Sequence, residues 1–559
     1  MAIVYMKALE SEPSTFDKKF QKLSKGVRQA YEFVSETIRN FKPGETINIL
    51  EIGCGTGYLS RLITAERTCN YTGIDVSAAM IEHASSETPP DRKLVYFERD
   101  FIESDVKDLP DNSFDIIFST FTLSEQRDVA KRIFLQKIPA LLADSGIAII
   151  ADEISPPGFR KVFYNLKRFI YSQAALVKAG KTTYPVKDFE EIAKEEGLDI
   201  TASKNLKGNV RVWTTRKSSS RFEKPVSPLR AALGNLVPIK VSYCVLNGIL
   251  TRKSITPGLY TVGSPGEKSP VIVTANYYWT VARVNKNLSK AGMSAWILVI
   301  DSSGINVWCG AGGGHFTSER VLNALQAFRV MEKVTHRDII LPQLCATGVD
   351  NKILVKKGWN VHWGPVDIKD LFNYVQSGLT ASPAERRVKF RFGYRLLMGA
   401  QHGVFLSLML ACGSLIPLII SFILTDLGTL WFTVMLVFIP LTVLFSLLWG
   451  ASMVYFPFKS YVGNALLFGT VSGIISGSYL LFLARVTDLI TLSFWILAVG
   501  LIATLNALDF GGQTPFTAVT VFEADLISGS LPIVIVFLIL VLLSLTGQVA
   551  MIPLLFSIP

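Results

Sequence analysis

Asn48–Tyr58 reads NILEIGCGTGY, and this run decides the fold of the first third of the chain. NILEI is apolar and β-branched, the composition of a strand buried on both faces. It runs into Gly53, Gly55 and Gly57, spaced so that the backbone can turn tightly against a ligand. Outward from this loop, YTGID is the next strand and brings Asp75 eighteen residues past Gly57. An acidic side chain there accepts hydrogen bonds from ribose hydroxyls. DVSAAMIEHA opens a helix with Ser77 as its N-cap. The strand LVYFERD ends in Asp100, placed to meet an exocyclic amine. FDIIFST follows, with Asp115 at its start in a position more often structural than catalytic. Residues 1–216 alternate in this way throughout, which predicts an α/β domain. A lone glycine-rich loop would also fit a dinucleotide-binding dehydrogenase.

The series as a whole resembles the class I S-adenosylmethionine (SAM) dependent methyltransferases over about residues 45–215. The form E-x-G-x-G-x-G, Glu51 through Gly57, separates that family from nicotinamide-binding sheets, and the closing DFEEIAKEEGL…VRVWTTRK agrees with it. The resemblance implies a Rossmann-like domain in which Glu51, Gly53, Gly55, Gly57, Asp75 and Asp100 bind SAM. Ser119, Thr120 and Glu125 lie on the loop that shapes the acceptor site in that family. No general base stands out, and none is needed if the acceptor is already a strong nucleophile.

At 559 residues the chain predicts three or four units. Its formal charge of +11 is dispersed rather than striped, so nucleic acid is not expected as a partner. Residues 217–240 are polar and read as a linker. Residues 241–380 alternate again: VIVTANY, AWILVID, DIILPQL and WNVHWGP are apolar runs ending in turn residues, which suits a second parallel sheet. From about Gly403 charge nearly vanishes. Five spans are expected, near 403–425, 430–455, 461–483, 488–508 and 530–556, forming an all-α transmembrane domain. The segment 381–402 carries Arg386, Arg387, Lys389, Arg391 and Arg395, a basic flank expected on the cytoplasmic side of a lipid bilayer. The reading is a multi-pass protein of the cell membrane with its soluble domains in the cytoplasm. Six scattered cysteines without a CxxC pair suit reduced thiols there. The N-terminus lacks the long apolar core of a signal peptide. A transporter is the rival architecture, but the spans lack charged residues at mid-depth, which favours an anchor.

The second chemical signal is GINVWCGAGGGHF, residues 304–316, between the strand AWILVID and a helix capped by Thr317 or Ser318. Strand-to-helix junctions are where such sheets bind ligands. Glycines around one thiol permit close approach of a bulky planar group, and a thiolate is a soft metal ligand. From spacing alone, the favoured reading of Cys309 is a buried cysteine in a tight turn. His315, His336 and His362 are not spaced as a metal triad, and Cys345 and Cys412 sit in apolar surroundings.

VTANY (273–277), INVWCGAGGGHF (305–316), HRDIILPQLCATGV (336–349) and VHWGPV (361–366) resemble the corrinoid domain of the mercury-methylation corrinoid protein family. That family is itself similar to a corrinoid iron–sulfur protein subunit of the acetyl-CoA pathway. The resemblance covers about 255–380, and the five C-terminal spans suit the same architecture. It implies a corrinoid cofactor with Cys309 as lower cobalt ligand. Asn306, Trp308, Gly310, Ala311 and Gly312 would form the cap beneath the ring. Thr274 and Asn276 would face the ring, and Gln343, Gly348 and Gly364 would line its nucleotide-tail side. The family signature is N-V/I-W-C-A-A/G-G-K. Here Gly310 replaces the alanine after the cysteine, and Gly313 replaces the lysine. The fusion implies methyl movement from SAM to a corrinoid cobalt and on to an acceptor, a small molecule or a metal or metalloid ion. A separate ferredoxin-like protein would supply electrons. The alternative is a SAM-dependent methyltransferase of a small molecule or lipid at the membrane, its second domain only binding a ligand.

Overall fold

The computed structural model describes residues 13–161 (less 24, 91 and 104–108), 163–165, 168, 183–218, 226–233, 254–404 (less 390, 394 and 401), 407 and 439–510 (less 458, 459 and 484). The chain divides into two compact units, Met1–Pro225 and Val226–Pro559.

In the first unit the expected strands form: β1 (Ile47–Ile52), β2 (Cys69–Asp75), β3 (Leu94–Glu98), β4 (Phe114–Thr120), β5 (Leu142–Glu153), β6 (Leu198–Leu206) and β7 (Val210–Lys217). They lie in the order β3-β2-β1-β4-β5-β7-β6. β1 to β5 are parallel, and β7 runs antiparallel between β5 and β6. Strand order reverses between β1 and β4, which opens a crevice at their C-terminal ends. The helix Lys25–Asn40 covers one face with Val27, Ala30, Val34 and Ile38, a stripe at helical spacing that meets Ile47, Ile49, Ile116 and Phe118.

The second unit has a sheet of β8 (Gly258–Val262), β9 (Val271–Ala275), β10 (Ala295–Ile300), β11 (Asp338–Leu341) and β12 (Asn360–Trp363), in the order β12-β11-β9-β10-β8. β9 to β12 are parallel as the apolar runs predicted, and β8 adds an antiparallel edge. Separate apolar clusters cover the sheet, one centred on Val273, Leu298 and Leu341 and one on Ile272, Ile297 and Ile340. Alternation along each strand sends successive side chains to opposite faces. The expected linker is shorter than its composition suggested. Pro228 pairs with Thr261, and the helix Leu229–Leu233 buries Leu229 and Leu233 in the core, so 226–233 belong to the second unit.

The apolar helices Ile439–Ser452, Tyr461–Phe482 and Leu489–Phe510 fall within three of the expected spans. Among the described residues, Val462–Phe482 is the stretch long and apolar enough to cross a membrane. The span expected at 530–556, and nearly all of that at 403–425, lie outside the described residues. Gly469 and Gly473 bring the helices Tyr461–Phe482 and Leu489–Phe510 into backbone contact, and Gly477 meets the Ile496 side chain: a Cβ on Gly473 would lie 2.6 Å from the Ile496 carbonyl oxygen. Small residues every fourth position favour such packing in lipid.

Candidate functional site

The crevice of the first unit is a cleft of about 1030 Å³, including its open mouth, lined by Glu51, Gly53, Gly55, Asp75 and Asp100 among others. Its floor is the glycine loop. Gly53, Gly55 and Gly57 have φ of 79°, 51° and 69°, a region that side chains disfavour. A Cβ on Gly53 would stand 2.0 Å from the Thr122 Oγ1. Gly57 precedes the helix Tyr58–Glu66 as its N-cap. Asp75, at the end of β2, holds the loop in place: its Oδ2 accepts from the Gly55 N–H at 2.9 Å and its Oδ1 from the Ser77 N–H at 2.9 Å. Ser77 caps the next helix as expected, accepting from the Met80 N–H. Asp100 accepts from the backbone N–H of Ile102 at 2.7 Å and of Glu103 at 3.1 Å.

Glu51 is only 2% exposed, and the Tyr71 hydroxyl donates to its Oε2. Burial pushes its carboxyl up to about 8, against the pull of the Tyr71 hydrogen bond, with the nearby Asp75 and Asp17 adding to the rise. Asp17 was not foreseen. It sits on the helix Pro13–Leu23 and accepts from the Thr56 hydroxyl at 2.8 and 2.9 Å, and burial raises its carboxyl above the ordinary range. Five acidic side chains, Asp17, Glu51, Asp75, Asp100 and Glu125, thus line one cleft, an electrostatic setting that suits a cationic ligand. Asp115 is structural, as its position suggested: it accepts from Lys42 Nζ at 2.7 Å and the Asn48 N–H at 3.0 Å.

On the acceptor side, the Ser119 hydroxyl donates to the Ile52 carbonyl at 2.7 Å, while Thr120 and Glu125 line the cleft. Asp152 on β5 accepts from the Ser124 N–H at 2.9 Å, and burial pushes its carboxyl up to about 6 against the Ser124 hydrogen bonds. Its neighbour Glu153 accepts from Tyr164 at 2.9 Å and pairs with Arg168 at 2.8 Å. These pairs brace the segment that leaves β5 beside the cleft.

In the second unit the cysteine segment, whose glycines predict a loop, folds into a short helix, Val307–Gly312. Asn306 caps it: its Oδ1 accepts from the Cys309 N–H at 2.9 Å, and its Nδ2 lies 3.4 Å from the Cys309 sulfur. The asparagine three residues before the cysteine was the available signal. Cys309 is partly exposed, whereas Cys54, Cys69 and Cys345 are buried. The helix packs against β9 and the turn Gln343–Cys345, so it lies over the reversal point between β9 and β11. Gly310 and Ala311 are buried, Trp308 is half-buried and Gly312 is exposed.

Thr274, at the C-terminal end of β9, is 1% exposed, and its hydroxyl has no hydrogen-bond partner among the described residues. Asn276 is committed to the loop instead. Its Oδ1 accepts from the Ser302 N–H at 3.0 Å, the Ser302 hydroxyl at 2.7 Å and the Gly304 N–H at 2.9 Å. Gly348 packs on the short helix: a Cβ there would meet the Phe316 and Ala311 carbonyl oxygens at 2.5 and 2.7 Å. Gln343 accepts from Arg386 at 2.6 Å, and the Gly364 N–H donates to the Leu341 carbonyl at 2.8 Å. His315 contacts Ser303, while His336 and His362 flank Asp338, whose carboxyl the His362 hydrogen bond holds below its ordinary value. No group of three or more metal-ligating side chains occurs among the described residues.

Two family models match. Residues 50–148 match a methyltransferase domain, and residues 250–375 match the CO dehydrogenase/acetyl-CoA synthase delta subunit. A relative from Methanosarcina thermophila, acetyl-CoA decarbonylase/synthase complex subunit gamma 2, is 35% identical over 241 residues, covering 42% of this chain and 50% of that one. The gamma subunit of Methanopyrus kandleri is 34% identical over 133 residues, 24% of this chain and 29% of that one. The chain therefore spans half or less of these relatives' length. The crystal structure of an S-adenosylmethionine dependent methyltransferase from Mesorhizobium loti aligns at 17% identity with a TM-score of 0.28, over 34% of this chain and 100% of that one. The first unit holds a methyltransferase domain on a Rossmann-like α/β sheet. The second holds an α/β domain similar to the delta-subunit family.

Proposed function

We propose that the protein moves a methyl group from SAM, bound in the first unit, to a corrinoid held by the second, and from there to an acceptor. The observation that carries this reading is the joining in one chain of a carboxylate-lined methyltransferase cleft and a glycine-flanked, partly exposed cysteine at a sheet's reversal point. In the cleft, Asp75 faces the ribose hydroxyls, Asp100 the adenine amine, and Glu51 and Asp17 the positive end of SAM. Gly53 and Gly55 let the backbone approach it closely.

The residues of the second unit fit a corrinoid. The Cys309 sulfur would supply a ligand to the cobalt, the orphaned Thr274 hydroxyl would gain a partner, and Gly310 and Gly312 would leave room for the ring. Gln343, Gly348 and Gly364 would border its tail. When bound, the corrinoid supplies a cobalt nucleophile that takes a methyl group without a general base. The chain's own residues orient and desolvate. Asn306 fixes the thiol through its N-cap bond, and Asn276 holds the turn before it through Ser302 and Gly304. Positioning of this kind can supply most of a methyl transfer's acceleration. A separate electron donor would keep the cobalt reduced. Gly313, where the mercury-methylation family carries lysine, leaves a soft metal or metalloid ion or a small molecule as the acceptor. The apolar helices would anchor the chain in the cell membrane through several spans.

The test is Cys309→Ala in the full chain loaded with corrinoid. Loss or displacement of the thiolate-ligated absorption, with SAM still bound, is the expected result. An unchanged spectrum and unchanged methyl transfer would remove Cys309 from the site.

A further inference from the structure

Phe159 and Phe163 stand out from the first unit, 77% and 63% exposed, with ring centroids 5.4 Å apart in an edge-to-face pair. Exposed aromatic pairs mark interaction surfaces rather than ordinary solvent-facing positions. The segment that carries them is two-sided. Tyr164 and Arg168 turn inward to Glu153, and Arg168 also donates to the Thr183 hydroxyl at 2.8 Å. Phe159, Arg160, Lys161 and Phe163 face outward, behind Pro157 and Gly158, which are exposed too.

We propose that this surface docks the first unit onto an anionic lipid bilayer. Charge complementarity commits it to that occupant: Arg160 and Lys161, both exposed, lie in sequence between the two exposed rings, the composition that places aromatic side chains in the headgroup region and cations beside anionic lipids. The same chain repeats the pattern at 386–392. There Arg386, Arg387, Lys389 and Arg391 are exposed beside Val388 and Phe392, ahead of the apolar helices. Ile154, just past the C-terminal end of β5, pairs with Val186. The proposal stands on the exposed pair and does not depend on the corrinoid reading.

The experiment is amide hydrogen exchange across residues 156–165 of the full chain in lipid nanodiscs. One set is phosphatidylcholine alone, a second contains phosphatidylglycerol, and detergent serves as reference. Each cation near an anionic surface is worth roughly fivefold, so exchange at least that much slower in the phosphatidylglycerol discs is expected. The double variant F159S/F163S should abolish the slowing while SAM binding is retained, since both side chains lie outside the cleft. Exchange independent of lipid charge would overturn the proposal, as would equal protection in detergent, which would mean that protein covers the surface.

Discussion

Replacing Glu51 with glutamine isolates the cost of holding a carboxyl beneath the cofactor cleft. The group is 2% exposed, and its carboxyl lies at about 8 instead of the ordinary 4.5. Between those values the folded state keeps the proton that the unfolded state has lost. The unfolded state binds fewer protons there, so stability falls as pH rises through the window and is full below about 4.5. Each unit is worth about 1.4 kcal/mol, which sets a ceiling of about 3 kcal/mol between pH 5.5 and 7.5. Glutamine keeps an oxygen to accept the Tyr71 hydroxyl but cannot ionise. The expected outcome is that the stability of Glu51→Gln relative to wild type rises by about 2–3 kcal/mol between pH 5.5 and 7.5. The assay follows the unfolding transition that SAM shifts, in the full chain, at several pH values. Asp152, at about 6, contributes its own slope to both proteins and cancels in the difference. Parallel pH profiles for wild type and variant would refute the reasoning.

Gly53→Ala forces a side chain onto a φ of 79° and into the Thr122 hydroxyl. Strain of about 1–3 kcal/mol predicts SAM affinity roughly 5- to 150-fold weaker by calorimetry, with the sheet intact. Gly348→Ala meets backbone oxygens that cannot swing aside, so a loss of about 1–3 kcal/mol in the second unit's unfolding is expected, together with weaker corrinoid retention. Asn306→Ala removes the cap and the amide beside the sulfur, and should cost about 1 kcal/mol and shift the absorption of bound corrinoid without abolishing binding.

The first sheet was legible because each parallel strand is an apolar run ending in a small or acidic residue, a signal contained in a few neighbouring positions. Glu51, Gly53, Gly55, Asp75 and Asp100 converge on one cleft for that reason. Asp17 escaped because its bond to Thr56 joins residues 39 apart, and no local pattern announces such a meeting. The short helix at Cys309 escaped because glycines dominate its composition, although Asn306 carried the capping signal. Asn276 shows the limit of carrying over a role: its side-chain oxygen holds Ser302 and Gly304, a bracing duty that follows from the fold of the loop. The start of the second unit was obscured because polar composition masks the few apolar contacts of Leu229 and Leu233 that fix it.

The most direct measurement is the visible absorption of the full-length protein, loaded with corrinoid and kept reduced, recorded before and after adding SAM labelled in its methyl group. The account predicts that SAM discharges the reduced cobalt absorption and that the label moves to the protein-bound corrinoid in step with formation of S-adenosylhomocysteine. A bound corrinoid whose spectrum and label content ignore SAM would contradict it.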